Sequence, residues 1–281
     1  MKVILVPTDF SEQADHALDA AYQLALKSRA DIWLTHVLEY PGADDEFVTT
    51  TQLGQPLPID WLRKAKEDVE EHLQTIIREK KLEGVHVEYQ VKVGNPYRSI
   101  TRELVTDEVD LIVMGSKGAS GMKEILVGSN AERMVRFARC PVLIIKEKVD
   151  LSAIRNIVYA TSLRDDEHMV TGELKEFQQL FNAQLHILKV NTMANFLDDP
   201  FVYAKLREFA RKCDLQNYTI HTYSDQSEEA GIIHFAEEIN ADLIALSTHS
   251  RRGIEHLLSG SIAEDVVNHT KRPIWTMSLK A

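Results

Sequence analysis

The residues of this chain best suited to chemistry are glycines at a fixed spacing: Gly115-Ser116-Lys117-Gly118, nine further residues, then Gly128-Ser129-Asn130. Glycine lets the backbone approach an oxygen-rich ligand with no Cβ in the way. A helix start adds N–H groups that lack intrahelical partners and carry partial positive charge. The arrangement suits a polyphosphate, with Ser129 supplying a hydroxyl donor and Lys117 or Lys123 a cation. Read alone, glycines after a strand simply make a turn, so the surroundings have to decide. There is no Gly-Lys-Ser/Thr phosphate loop, no nucleophile elbow and no neighbouring acid/base pair. Nothing supplies an activator for an in-line nucleophile, so the expected chemistry is holding a ligand, with slow hydrolysis at most.

The elements that position this loop alternate short β-branched runs with amphipathic stretches, the pattern of βα units around a parallel sheet. Strands are predicted at 2–6, 31–37, 86–92, 110–114 and 142–146, and helices near 12–28, 60–80, 96–107 and 129–138, with Ser11 as an N-cap. The pattern then repeats. Val127-Gly128-Ser129 and Cys140-Pro141-Val142 recur as Ser259-Gly260-Ser261 and Arg272-Pro273-Ile274, 132 residues later (260−128, 273−141). Ile4 to Asp9 recurs as Ile157 to Ser162, 153 residues later (161−8). Second-copy strands are predicted near 154–160, 184–190, 217–223, 241–247 and 274–278, and helices near 166–181, 199–213, 227–239 and 261–269.

The chain therefore reads as a tandem repeat, with domains at 1–148 and 153–281. Each is α/β, an open, doubly wound, Rossmann-like parallel five-stranded sheet, with its ligand site past the carboxyl ends of the strands at the switch point. Segment 39–58, rich in Pro, Gly, Asp and Thr, supplies much of the first copy's extra length and reads as a lid, a partner-binding loop or a disordered segment.

With 281 residues, 44% hydrophobic and 27% charged, the composition is that of an ordinary globular protein. A formal charge of −11 opposes binding to duplex nucleic acid. No apolar run approaches a membrane span and no signal-peptide pattern opens the sequence, so a cytoplasmic location is expected. Cys140 and Cys213 occupy non-equivalent places, which argues against a disulfide framework, and Cys140 reads as a buried small hydrophobe. His249, His256 and His269 lack companion ligands at metal spacing, so no metal site is expected. Asp165-Asp166-Glu167 reads as a short acidic turn.

Pro7-Thr8-Asp9 after strand one, His36-Val37 after strand two and the glycine loop after strand four together resemble the nucleotide-binding universal stress protein family, specifically its tandem members. The resemblance covers the whole chain, once per half, and its spacing signature is complete in the first. It implies an adenine nucleotide alpha hydrolase-like fold with strand order 3-2-1-4-5 in each half. It also implies a stress-response regulator binding ATP, or ADP or AMP, with magnesium as counter-ion. Asp9 would lie at the ribose and adenine, Val37 against the base, and Gly115, Gly118, Gly128 and Ser129 at the phosphates, with Pro7, Thr8, Met114 and Asn130 as neighbours. Other readings are a scaffold module with a vestigial site, binding protein partners, or a slow ATPase.

The second half departs from the pattern. Ser162 replaces Asp9, Ser247 replaces Gly115 and Ser250 replaces Gly118, while Val190, Gly260 and Ser261 remain, so its site reads as degenerate. Both last strands are apolar, so the halves are expected to pair through 142–146 and 274–278 as a pseudo-dimer within the chain. A homodimer of whole chains would be a further step, resting on the resemblance.

Overall fold

A computed structural model describes residues 1–39, 59–103, 108–116, 128–249 and 262–279. The first half runs β1 (Val3–Thr8), α1 (Glu12–Ser28), β2 (Asp31–Leu38), α2 (Ile59–Glu79), β3 (Val87–Val93), α3 (Pro96–Glu103), β4 (Leu111–Gly115), α4 (Ser129–Phe137) and β5 (Val142–Ile145). The second runs β6 (Asn156–Ala160), α5 (Thr171–Phe181), β7 (Gln184–Asn191), α6 (Asp199–Lys212), β8 (Tyr218–Ser224), α7 (Glu228–Glu238), β9 (Leu243–His249), α8 (Ile262–His269) and β10 (Ile274–Leu279). Most of loop 39–58 lies outside the described residues, as do Lys117, Gly118, Lys123, Ser250, Gly260 and Ser261.

Among the described residues, ten strands form one sheet in the order β3-β2-β1-β4-β5-β10-β9-β6-β7-β8. Within each half the pairing is parallel, and each half turns back on itself after its third strand. The joint is antiparallel: Ile274 faces Ile144, Trp275 faces Leu143 and Thr276 faces Val142. Trp275 is the repeat of Leu143 (275−132), so the pseudo-two-fold axis passes between these two residues. β5 is wholly buried and apolar; left uncovered, it would present both an unpaired hydrogen-bonding edge and an apolar face to water.

Alternation of side chains along the strands divides the core between the two faces of the sheet. Ile4, Val6, Leu143, Tyr159 and Trp275 pack beneath α1 and α5. Leu5, Ile112, Ile144, Val158 and Ile274 pack on the other side against α4, α7 and α8. Across the joint, Thr248 Oγ1 donates to the Val135 carbonyl at 2.9 Å and Arg136 pairs with the mostly buried Glu264 at 3.1 Å.

Two predicted boundaries move. The strand expected from 154 begins at Asn156, after a 3-10 turn at Leu151–Ala153. The helix expected over 166–181 is split into a 3-10 helix at Asp165–Val170 and α5 from Thr171; the cause lies in the crevice it borders.

Candidate functional site

In the first half the chain leaves β1 through a left-handed residue, Phe10, at φ 64°. The turn is held locally. Phe10 N–H donates to Thr8 Oγ1 at 3.1 Å, and Ser11 N–H donates to Asp9 Oδ1 at 3.1 Å. Ser11 Oγ in turn accepts the Ala14 N–H, capping α1 as the sequence predicts. Asp9 is thereby fixed at the carboxyl end of β1.

The Phe10 ring lies between two imidazoles, 4.5 Å from His36 and 4.3 Å from His72, within 18° and 15° of parallel. His36 Nδ1 is 2.8 Å from the Thr8 carbonyl oxygen, to which it donates. Burial pushes the His36 pKa below its ordinary value, outweighing the opposing pull of Thr8 and Asp9.

Parallel pairing of Ile4 with Leu111 and Leu5 with Ile112, continued along the strands, brings Thr8 level with Gly115. Ser116 N–H donates to the Ile145 carbonyl at 3.1 Å, and Gly128 N–H donates to the Ser116 carbonyl at 2.7 Å. The two ends of the glycine loop are therefore tied together, and α4 starts beside the end of β4. Gly128 sits at the N-cap with an extended backbone and no side-chain cap, leaving the first-turn N–H groups of α4 to other acceptors. Pro7, Thr8, Asp9, Met114, Gly115, Gly128, Ser129 and Asn130 thus lie at the carboxyl ends of β1 and β4 and the start of α4, with Val37 one strand away on β2.

Gly115 also has a packing duty that its spacing did not reveal. A Cβ there would lie 2.8 Å from the Gln13 carbonyl carbon, because the first turn of α1 crosses directly over it.

The second half repeats the turn and changes its contents. Leu163, the repeat of Phe10, is also left-handed at φ 62°, and its N–H donates to Thr161 Oγ1 at 2.9 Å. Ser247 stands at the position of Gly115, and the segment that repeats the first turn of α1 winds as the 3-10 helix. That winding turns Glu167, the repeat of Ala14 (167−153), into the crevice. Glu167 is 1% exposed, so it is no solvated acidic turn. One carboxylate oxygen accepts from Ser162 N–H at 2.9 Å and from Ser162 Oγ; the other accepts from Thr161 Oγ1 and, at 3.3 Å, from the Tyr159 hydroxyl. Burial first, then the Glu167 charge, pushes the Tyr159 pKa well above its ordinary value, and Ser247 bonds to the same hydroxyl. The donors at this end of the second crevice are therefore taken up by the chain's own carboxylate. Farther along it, Val190 is buried beneath Gly231, where a Cβ would come within 2.5 Å of Val190 Cγ1.

The sequence matches the model of the universal stress protein family twice, at residues 1–146 and again at 153–277. The chain belongs to the universal stress protein family. The curated relatives that follow each match about one half of this universal stress protein. MJ0577 of Methanocaldococcus jannaschii is 32% identical over 159 residues, 52% of this chain and 96% of its own. YxiE of Bacillus subtilis is 32% identical over 149 residues, 51% of this chain and 97% of its own. A universal stress protein from Archaeoglobus fulgidus has the same fold across both halves: TM-score 0.76, 20% identity, 99% of this chain and 98% of that one.

The internal carboxylate of the second half escaped the sequence reading, although a signal for it exists. Between the two copies Val6 becomes Tyr159, Asp9 becomes Ser162, Ala14 becomes Glu167 and Gly115 becomes Ser247. These four polar exchanges converge on one point once the sheet is wound.

Proposed function

We propose that this universal stress protein holds one adenine nucleotide per chain, ATP or else ADP or AMP, in its first half, and acts as a cytoplasmic stress-response regulator rather than an efficient enzyme. The observation that carries the reading is the contrast between the crevices. The first brings together Asp9, the Gly115–Ser116 strand end and an α4 start with no side-chain cap, whereas Glu167 takes up the donors of the second. Magnesium would serve as phosphate counter-ion, and residues 1–148 and 153–281 would be the two domains. The sequence offers no in-line activator for this cradle, and a site without a base or arginine finger stabilises ground state and transition state about equally, which gives slow turnover.

The test is calorimetric titration of the full chain with ATP and magnesium, where the expected stoichiometry is one. Gly118→Val should abolish binding, because a β-branched side chain fills phosphate space. The matching Ser250→Val should leave affinity within about twofold, well under the roughly 1.4 kcal/mol of a tenfold change. Two equal sites, none, or equal effects of the two substitutions would overturn the proposal and favour a scaffold module.

A further inference from the structure

On the opposite side of the second half, away from the crevice, two imidazoles meet. His186 on β7 pairs with Thr219 on β8, and His221 follows two residues later on the same face. His186 Nδ1 lies 3.3 Å from His221 Nε2, and Thr219 Oγ1 lies 3.0 Å from the first and 2.8 Å from the second. The other nitrogen of His186, Nε2, is 3.1 Å from Asn156 Oδ1. An amide oxygen only accepts, so Nε2 carries the proton and Nδ1 presents a lone pair to the triangle. Burial lowers both imidazole pKa values, and the neighbouring His221 lowers that of His186 further. All three residues are only half-buried, within reach of solvent.

We propose that His186 and His221 bind a single divalent transition-metal cation of the zinc type. Two ligand nitrogens about 2.0–2.1 Å from a tetrahedral zinc ion stand roughly 3.3 Å apart, which is the separation of His186 Nδ1 and His221 Nε2. The Nε2–H to Asn156 bond is the outer-shell contact that metal-bound histidines make, fixing tautomer and ring orientation. The Thr219 hydroxyl, beside both nitrogens, holds a solvent ligand in the remaining coordination space. A chain with a formal charge of −11 favours the cation over an anion.

The site is peculiar to the second half. In the first, the paired positions are Trp33 opposite Glu88, with Gln90 in the place of His221, so the first half lacks both ligands. No sequence spacing points to them, because β pairing alone joins residues 35 apart.

The experiment is titration of the full-length chain with zinc against a chromogenic chelator, and with cobalt(II) as a spectroscopic probe. One site per chain is expected, with intense tetrahedral cobalt bands. Affinity should fall at least tenfold in His186→Asn and in His221→Gln, and roughly ten- to hundredfold in Asn156→Leu, the cost usual for an outer-shell partner. Control substitutions at His234 and His269, which instead pair with Asp225 and Glu229, should leave the site intact. Imidazole nitrogen resonances of the unaltered protein should shift at His186 and His221 on adding zinc, a readout independent of how any variant folds. The proposal is overturned if no saturable site appears, if the double variant binds equally well, or if the two rings respond to acid but not to metal.

Discussion

Replacing Glu167 with alanine tests the idea that the second crevice is closed by the chain itself. Four donors converge on this carboxylate. The two from Ser162, an exposed residue, find water when it is removed. The hydroxyls of Tyr159, 0% exposed, and Thr161, 5% exposed, do not. Tyr159 keeps its bond with Ser247, so the Thr161 hydroxyl is the buried group that loses its acceptor; at about 1–3 kcal/mol for such a group, Glu167→Ala should destabilise the protein by roughly 1–3 kcal/mol. Glu167→Gln keeps an oxygen for Ser162 and turns an amide towards hydroxyls that can rotate to accept; it forfeits mainly the charge assistance, on the order of 1–1.5 kcal/mol. Urea unfolding followed by circular dichroism, fitted for more than one transition where the halves separate, measures both. An alanine cost below about 0.5 kcal/mol, or a glutamine cost equal to alanine's, would refute the reasoning.

Gly115→Ser copies the second half's residue into the first. Because the obstructing atom is the Gln13 backbone, it should cost about 1–3 kcal/mol as overpacking and weaken ATP binding, read by thermal denaturation and calorimetry. Trp275→Ala, at a site 1% exposed on the pseudo-two-fold axis, should cost about 3–5 kcal/mol in denaturant titration. His36, His186 and His221 all have pKa values lowered by burial. The unfolded chain therefore binds more protons below about pH 6.5, and the stability they contribute is present above that pH and lost as pH falls through their folded values. Chemical denaturation between pH 7.5 and 5 should show this decline, with a shallower slope in a His186→Asn/His221→Gln variant. Burial pushes the Cys140 thiol up to about 12, so alkylation at pH 8 should label it only on unfolding, as mass spectrometry would report.

Much of the fold was legible because strong periodicity and a repeated chain constrain each other. The strands around Ile4 to Thr8 and Leu111 to Gly115 could be read twice, once in each copy. The joint was legible too, since two apolar fifth strands each needed a cover. What escaped was information that exists only after the sheet is wound. Gly115 reads as a ligand glycine from spacing, yet its nearest neighbour, Gln13, lies 102 residues away (115−13) in the chain. Glu167 sits among acidic residues and looks solvated until the folded chain brings the donors of Tyr159, Thr161 and Ser162 around it. The 3-10 start of that segment is a tertiary override of local propensity, which no window of sequence contains.

The antiparallel joint between β5 and β10 sets a timetable for synthesis. β5 ends at Ile145 and its partner ends at Leu279, so about 134 further residues must leave the ribosome before the edge can be covered. At roughly 5–20 residues per second, the finished first half waits about 7–27 seconds with an apolar strand open. During that interval its complement is most readily found on another nascent chain of the same message. A β10 from one chain zipped onto the β5 of its neighbour would satisfy every backbone bond of the joint while leaving two chains exchanged. Spacing of ribosomes, and any factor that shields the edge, should therefore govern the yield of correctly closed protein more than its final stability does.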